Sequence, residues 1–169
     1  MYFKYLPTLI YTTPQNKNIA VRDIFVRTGF RSGNVSNLNM DAYYLDDGET
    51  PEHLSNRVYG TPLYHWTILL VNNIINPYEE WPKSSVALTE YVKTKYGAGN
   101  ESAVHHYMIT GSNPELVVDY DAAKLTAGTH SAVTNMDYEI DLNESKRHIY
   151  LIKNKFIGDF VKIYRRLVR

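Results

Sequence analysis

Two Thr-Pro steps, Thr50-Pro51 and Thr61-Pro62, with Gly60 between them, constrain this chain more than any other feature of it. In each step a hydroxyl able to cap a helix precedes a proline at the first helical position, where the missing N–H costs nothing. Leu54 and Val58 lie four apart on one face of the first helix, and Gly60 is placed to end it. In the second helix Leu63, Trp66 and Leu70 form a face that Ile68, Leu69 and Val71 widen. Asn72-Asn73 and Asn76-Pro77 stop it. Upstream, Ala42-Tyr43-Tyr44-Leu45 suits a half-buried pleated surface, and Asp46-Asp47-Gly48 supplies turn residues. The stretch from Ala42 to Trp81 therefore reads as strand, helix, helix.

At 169 residues the chain has room for one domain, or one small domain with extensions. Hydrophobic residues make up 44%, enough for a core, and the 15 tyrosines and 2 tryptophans add amphipathic aromatic surface. Tyrosine is ordinary on half-buried strands, and it is also favoured where a partner covers the surface. The net charge is zero, which argues against nucleic acid or an anionic membrane as partner and suits a subunit of an assembly. There is no cysteine, so disulfides, thiol catalysis and cysteine-based zinc sites are excluded. Lys4 and Pro7 interrupt the apolar amino end, which is not read as a signal peptide, and a cytoplasm-like compartment is expected.

Residues 1–41 read as an amino-terminal arm: an extended segment to Tyr11, a polar connector, a β-favouring stretch around Asp23-Ile24-Phe25, then a loop at Ser32 to Asn39. Ser84 or Ser85 caps a third helix in which Leu88, Val92 and Tyr96 stack, closing a block over residues 42–96. Residues 97–153 read as a β-rich region. It has strands at His105–Thr110 and Glu115–Tyr120, a polar excursion from Asp121 to Asn135, and strands at Met136–Leu142 and Arg147–Lys153.

Residues 154–169 form a basic amphipathic helix capped by Asn154. Its seam is Phe156, Phe160, Ile163 and Leu167, with Ile157, Val161, Tyr164 and Val168 as a second ridge. A solvated domain helix, a docking helix and a membrane-surface helix all fit this pattern. Charge changes sign along the chain. Glu115 to Glu144 carries seven acids against Lys124, whereas from Lys146 onward Asp159 is the one acid among basic residues. The fold class is α+β.

No nucleophile elbow, P-loop, dinucleotide fingerprint or H-E-x-x-H occurs, and no enzyme is expected. His105 and His106 are neighbours, so on a strand they point to opposite faces and cannot share an ion. His53 and His65 sit on successive helices and read as surface features, so neither metal nor cofactor is expected. Glu79-Glu80 reads as a turn with exposed acids, and Trp81 as either core or an anchor for a partner.

Gly48-Glu49-Thr50, Tyr59-Gly60, Trp66, Ile68-Leu69 and Asn72 together resemble a LysM module. Such modules pack two helices on one side of a two-stranded sheet and often bind N-acetylglucosamine polymers. They usually close with a Pro-Gly turn and a second strand, whereas this chain runs into Pro77-Tyr78-Glu79-Glu80-Trp81.

The resemblance extends further. Asn16-Lys17-Asn18, Asp23-Ile24-Phe25, the block ending at Asn76-Pro77-Tyr78 and Trp81, then Asn143-Glu144, Arg147, Ile149, Leu151-Ile152 and Phe160-Val161 follow an order similar to baseplate wedge protein 53 of contractile-tailed bacteriophages. The resemblance implies a structural subunit of the virion tail baseplate, assembled in the host cytoplasm in multiple copies. It would link neighbouring wedges through a LysM-like protein-binding domain with a carboxyl-terminal helix.

Implied partners are other wedge subunits, a sheath-initiator-like subunit and tail hub proteins, with no nucleic acid and no membrane. The alternative is a peptidoglycan-binding LysM protein. Partner-binding candidates are Phe25, Tyr78, Trp81, Phe156, Phe160, Ile163, Leu167, Arg165 and Arg166. Removing Asn154 to Arg169 is expected to abolish co-assembly and leave the LysM-like core folded.

Overall fold

The computed structural model describes residues 5–24, 26, 40–112 and 115–168. The chain runs β1 (Thr8–Thr12), β2 (Asn18–Arg22), β3 (Met40–Tyr44), α1 (Pro51–Tyr59), a 3-10 turn (Pro62–Tyr64), α2 (His65–Val71) and α3 (Pro77–Glu80). Next come α4 (Ser85–Tyr96), β4 (Val104–Ile109), β5 (Val117–Val118), α5 (Ala122–Thr126), β6 (His130–Thr134) and α6 (Asn135–Ser145). Last are β7 (His148–Ile152), a 3-10 turn (Asn154–Phe156) and α7 (Ile157–Leu167). The elements are mixed helices and antiparallel strands, an α+β fold. They fall into two compact units: unit 1 takes in the chain up to Leu45, Glu49–Trp81 and His148 onward, and unit 2 takes in Asp46–Gly48 and Pro82–Arg147.

Unit 1 is built on the Thr-Pro grammar. The Thr50 hydroxyl accepts the His53 N–H at 3.3 Å, and Gly60 ends α1 with φ 72°, a left-handed turn that suits a residue without Cβ. Thr61-Pro62 opens a 3-10 turn before α2, which leaves Leu63 exposed instead of on the helix face. β3 pairs antiparallel with β7, Met40 opposite Ile152 and Tyr44 opposite His148. The helices α1 and α2 therefore follow one strand, and the partner strand arrives only after unit 2 has been traversed.

Ile149 and Leu151 of β7 face the core with Leu54, Tyr59, Trp66, Ile68 and Trp81, while Tyr150 points outward. Trp66 is the aromatic centre, with ring centroids 4.9 Å from Tyr164, 6.3 Å from Phe160 and 5.8 Å from Tyr5.

Two side chains lock the helices to β7. The Asn72 carboxamide accepts the Tyr150 N–H at 2.8 Å and donates to the Tyr150 carbonyl at 2.9 Å, as a neighbouring strand would. The Tyr59 hydroxyl donates to the Ile152 carbonyl at 2.9 Å, and burial pushes its pKa up to about 12. Tyr59→Phe keeps the ring and removes that bond, so a loss of about 1 kcal/mol in urea unfolding is expected.

Unit 2 stacks α4 and α6 and carries the sheet β5-β4-β6, antiparallel throughout. Ser84 caps α4 through the Ala87 N–H, and Leu88 and Val92 are buried. The Asn143 carboxamide accepts the Lys83 N–H at 2.7 Å and donates to the Lys83 carbonyl at 2.9 Å, which closes the two ends of the segment on each other. Arg147, itself buried, donates to Asp47 at 2.9 Å and Glu144 at 2.7 Å, and Asp47 also accepts both the N–H and the hydroxyl of Ser85.

Further expectations are corrected. Met136–Leu142 is helix, because Thr134 and Asp137 form a reciprocal capping box that opens α6. The excursion from Asp121 to Asn135 holds α5 and β6, with the Asp121 carboxylate capping α5. Asn154 begins a 3-10 turn, and α7 starts three residues later without a side-chain cap. The boundaries also move. Residues 85–96 belong to unit 2, and the last helix lies inside the core of unit 1. The reason is the second ridge: Ile157, Val161, Tyr164 and Val168 are all buried, with Phe160 at 0% exposure.

Candidate protein-docking surfaces

In unit 1, the amino-terminal hairpin offers an open apolar face. Asn16 takes the left-handed conformation in the turn, where its N–H donates to the Thr13 carbonyl at 2.9 Å. Leu9 then stands opposite Val21, and Tyr11 opposite Ile19. Side chains alternate along a strand, so these four share one face, and each is between 41% and 57% exposed. No third strand pairs with the hairpin among the described residues. Its base is fixed: Arg22 donates to the Leu6 carbonyl at 2.9 Å, the Asp23 N–H to the Pro7 carbonyl at 2.9 Å, and Leu6 is buried. Tyr5 lies against Trp66, with the Arg165 guanidinium 4.4 Å over its ring.

The loop from α2 to α3 offers a second surface. Asn76 caps α3 through the Tyr78 N–H, and the Glu80 carboxylate accepts the Ile75 N–H at 2.7 Å. That scaffold holds Ile75 and Tyr78 outward, Tyr78 at 89% exposure. In unit 2, Tyr107 and Tyr120 approach at 5.3 Å beside exposed Leu116 and Val117.

Electrostatics in both units are local. In unit 2, burial pushes the Glu139 carboxyl up, but hydrogen bonds from Lys95 Nζ at 2.6 Å and Tyr96 Oη at 2.8 Å outweigh this and hold its pKa below the usual value. Lys95 is raised correspondingly, chiefly by that bond. Asp47 is lowered by Arg147 first and Ser85 next. In unit 1, Glu49 pairs with Arg57 and accepts from Tyr43. No group of three His, Asp or Glu side chains able to hold a metal ion occurs among the described residues.

The sequence-derived candidates separate. Phe25 lies outside the described residues. Tyr78 is exposed, as are Ile163 and Leu167 on the outer side of α7, with Arg165 and Arg166 beside them. Trp81 is core, and its indole N–H donates to the Glu49 carbonyl at 2.7 Å. Phe160 is core too, and Phe156 packs half-buried against it. The expected seam of α7 is thus divided between core and solvent. The hairpin face was missed, although Leu9/Tyr11 and Ile19/Val21 alternate on either side of a Pro14–Lys17 turn and announce it.

Comparison with known proteins decides the setting of these surfaces. Residues 1–126 match the family model described as base plate wedge protein 53, well over half of the chain. The chain belongs to that family. It is 27% identical over 172 residues to baseplate wedge protein gp53 of Enterobacteria phage T4, a match that covers 88% of this chain and 87% of that protein. As a base plate wedge protein 53 it is a structural protein of the phage virion, located in the tail baseplate. The matched span includes the hairpin, the Thr-Pro helices and most of unit 2.

Proposed function

We propose that this wedge protein links neighbouring wedges of a contractile-tail baseplate, with unit 1 acting as a LysM-like module for binding protein instead of glycan. The strand–helix–helix–strand order of β3, α1, α2 and β7 supports the LysM reading, with the closing strand supplied from His148–Ile152. The Asn72 grip on Tyr150 gives the last of the residues that resemble a LysM module, Trp66, Ile68-Leu69 and Asn72, a structural task. The partners are other wedge subunits, a sheath-initiator-like subunit and tail hub proteins, met in several copies per baseplate and assembled in the host cytoplasm. Neither nucleic acid nor membrane takes part, and the role is not enzymatic.

The observation that carries this reading is the hairpin face of Leu9, Tyr11, Ile19 and Val21. A two-stranded hairpin is marginal by itself and needs further strands or a helix on its apolar face, and here that face is open while the base is anchored. Covering a Leu or Val contributes roughly 1.5–3 kcal/mol, enough for a few such residues to decide an association.

The test is reconstitution with purified wedge and hub subunits, with peptidoglycan as a parallel bait. The unaltered chain should co-elute with the subunits in fixed ratio and ignore peptidoglycan. The double variant Leu9→Lys, Val21→Lys should unfold at the same temperature yet fail to join. A variant that assembles normally would remove the hairpin from the interface. Sedimentation with peptidoglycan alone would replace the reading altogether.

A further inference from the structure

His105 and His106 do not point to opposite faces, and the reason lies in the ladder between β4 and β6. Val104 pairs with Thr134 and His106 with Val133, so His105 is the extra residue of a β-bulge. The bulge brings both rings together, with their Nδ1 atoms 2.9 Å apart. His105 lies flat on Tyr138 of α6, with ring centroids 4.0 Å apart and planes 11° apart, and Tyr96 of α4 meets it edge-on at 6.1 Å. His106 meets the same Tyr138 edge-on at 5.9 Å. Both ring orientations are thereby fixed, in a place where His105 is exposed and His106 half-buried.

Two imidazole nitrogens at this separation can share a proton, and they also match two neighbouring ligands of one ion. Metal–nitrogen bonds of about 2.0–2.1 Å meeting at a right angle set the nitrogens about 2.9 Å apart, whereas a tetrahedral angle sets them about 3.3 Å apart. Right-angled coordination by imidazole is the preference of Cu2+ and Ni2+ more than of Zn2+.

We propose that His105 and His106, turned together by the bulge, form a two-imidazole site for a divalent ion of the Ni2+ or Cu2+ type. No third His, Asp or Glu of the described residues joins them, so water completes the coordination. On binding, the proton between the two nitrogens moves to Nε2 of its own ring, so both ligands hold the ion through Nδ1 as neutral imidazoles. Nothing in wedge linkage requires this site, and it stands or falls separately.

The test is calorimetric titration of the untagged, chelator-treated full chain with Ni2+ at neutral pH. One ion per chain is expected. His105→Phe, which keeps the stack on Tyr138 but offers no nitrogen, and His106→Phe should each weaken binding roughly tenfold or more. His65→Ala should leave it unchanged. Equal affinity in either Phe variant overturns the proposal, as does a chain that takes up no Ni2+. A second readout needs no variant: paramagnetic Ni2+ should broaden the NMR signals of Val104 to Tyr107 and of Tyr138 before any others. Broadening centred on another histidine assigns the ion elsewhere and overturns the site.

Discussion

A chain cut before Asn154 is expected to lose the fold of unit 1. The cut removes Ile157, Phe160, Val161, Tyr164 and Val168 from the core, all of them buried. Each such side chain contributes roughly 1.5–3 kcal/mol, and the sum is comparable with the ~5–15 kcal/mol that holds a whole domain together. It also uncovers Trp66, which packs against Phe160 and Tyr164. Both tryptophans of the chain, Trp66 and Trp81, lie in unit 1, so their emission reports on that unit directly. The truncated chain should show red-shifted emission and no cooperative transition for unit 1. The single substitution Phe160→Ala should cost about 3–5 kcal/mol. Native emission in the truncated chain would restore the separable docking helix that the sequence suggested.

The second large effect is an asymmetry within one ion pair of unit 2. Glu139 is buried, whereas the Lys95 side chain is partly exposed. Lys95→Ala therefore leaves a buried carboxylate supported by the Tyr96 hydroxyl and the charge of Lys146, at a cost of about 2–3 kcal/mol. Glu139→Gln frees a lysine that simply turns to water, and should cost about 1 kcal/mol. Reversal of this order in denaturant unfolding would mean that Glu139 is not held as a buried anion.

The pH dependence follows with a definite sign. Glu139 and Asp47 have lowered pKa values, so their contributions are present above the unfolded carboxylate range and fade as pH falls through the folded values. Lys95 is raised, so its contribution is present below the unfolded lysine value and fades as pH rises through the folded one. Unit 2 should weaken at both extremes in the parent, and Lys95→Ala should shrink the alkaline limb to the part left by Tyr96, whose pKa is raised first by burial.

Much of unit 1 was legible in the sequence because its signals are local. A hydroxyl, a proline and a glycine within a dozen residues define α1, and an i, i+4 pattern places its buried face. What could not be read was long-range. β3 has apolar residues suited to a sheet, but its partner β7 lies beyond the whole of unit 2, and no local signal links Tyr44 to His148. The last helix carries two apolar ridges, and periodicity alone cannot say which one meets a core. The structure buries Phe160 and the second ridge and leaves Ile163 and Leu167 outside.

In unit 2 the helix over Met136–Leu142 carries its own local signal, the Thr134–Asp137 box that opens it. The histidine pair shows the opposite case. A bulge depends on the register between two strands, which a single sequence does not display. Among docking candidates, Tyr78 stands on the surface because Asn76 and Glu80 tie down the turn beneath it, while Trp81, three residues on, is drawn inward by the Glu49 carbonyl.

The placement of β7 and α7 also sets a timetable. A ribosome delivers β3, α1 and α2 first, yet the strand and helix that cover them follow only after Arg147. At about 5–20 residues per second, the stretch from Trp81 to His148 takes roughly three to thirteen seconds to emerge. For that interval the apolar sides of α1 and α2 have no permanent cover, while unit 2, nearly continuous in sequence, finishes first. The module that begins earlier is completed later, so the nascent chain passes through a window in which its most adhesive surfaces are open to whatever lies near the ribosome exit.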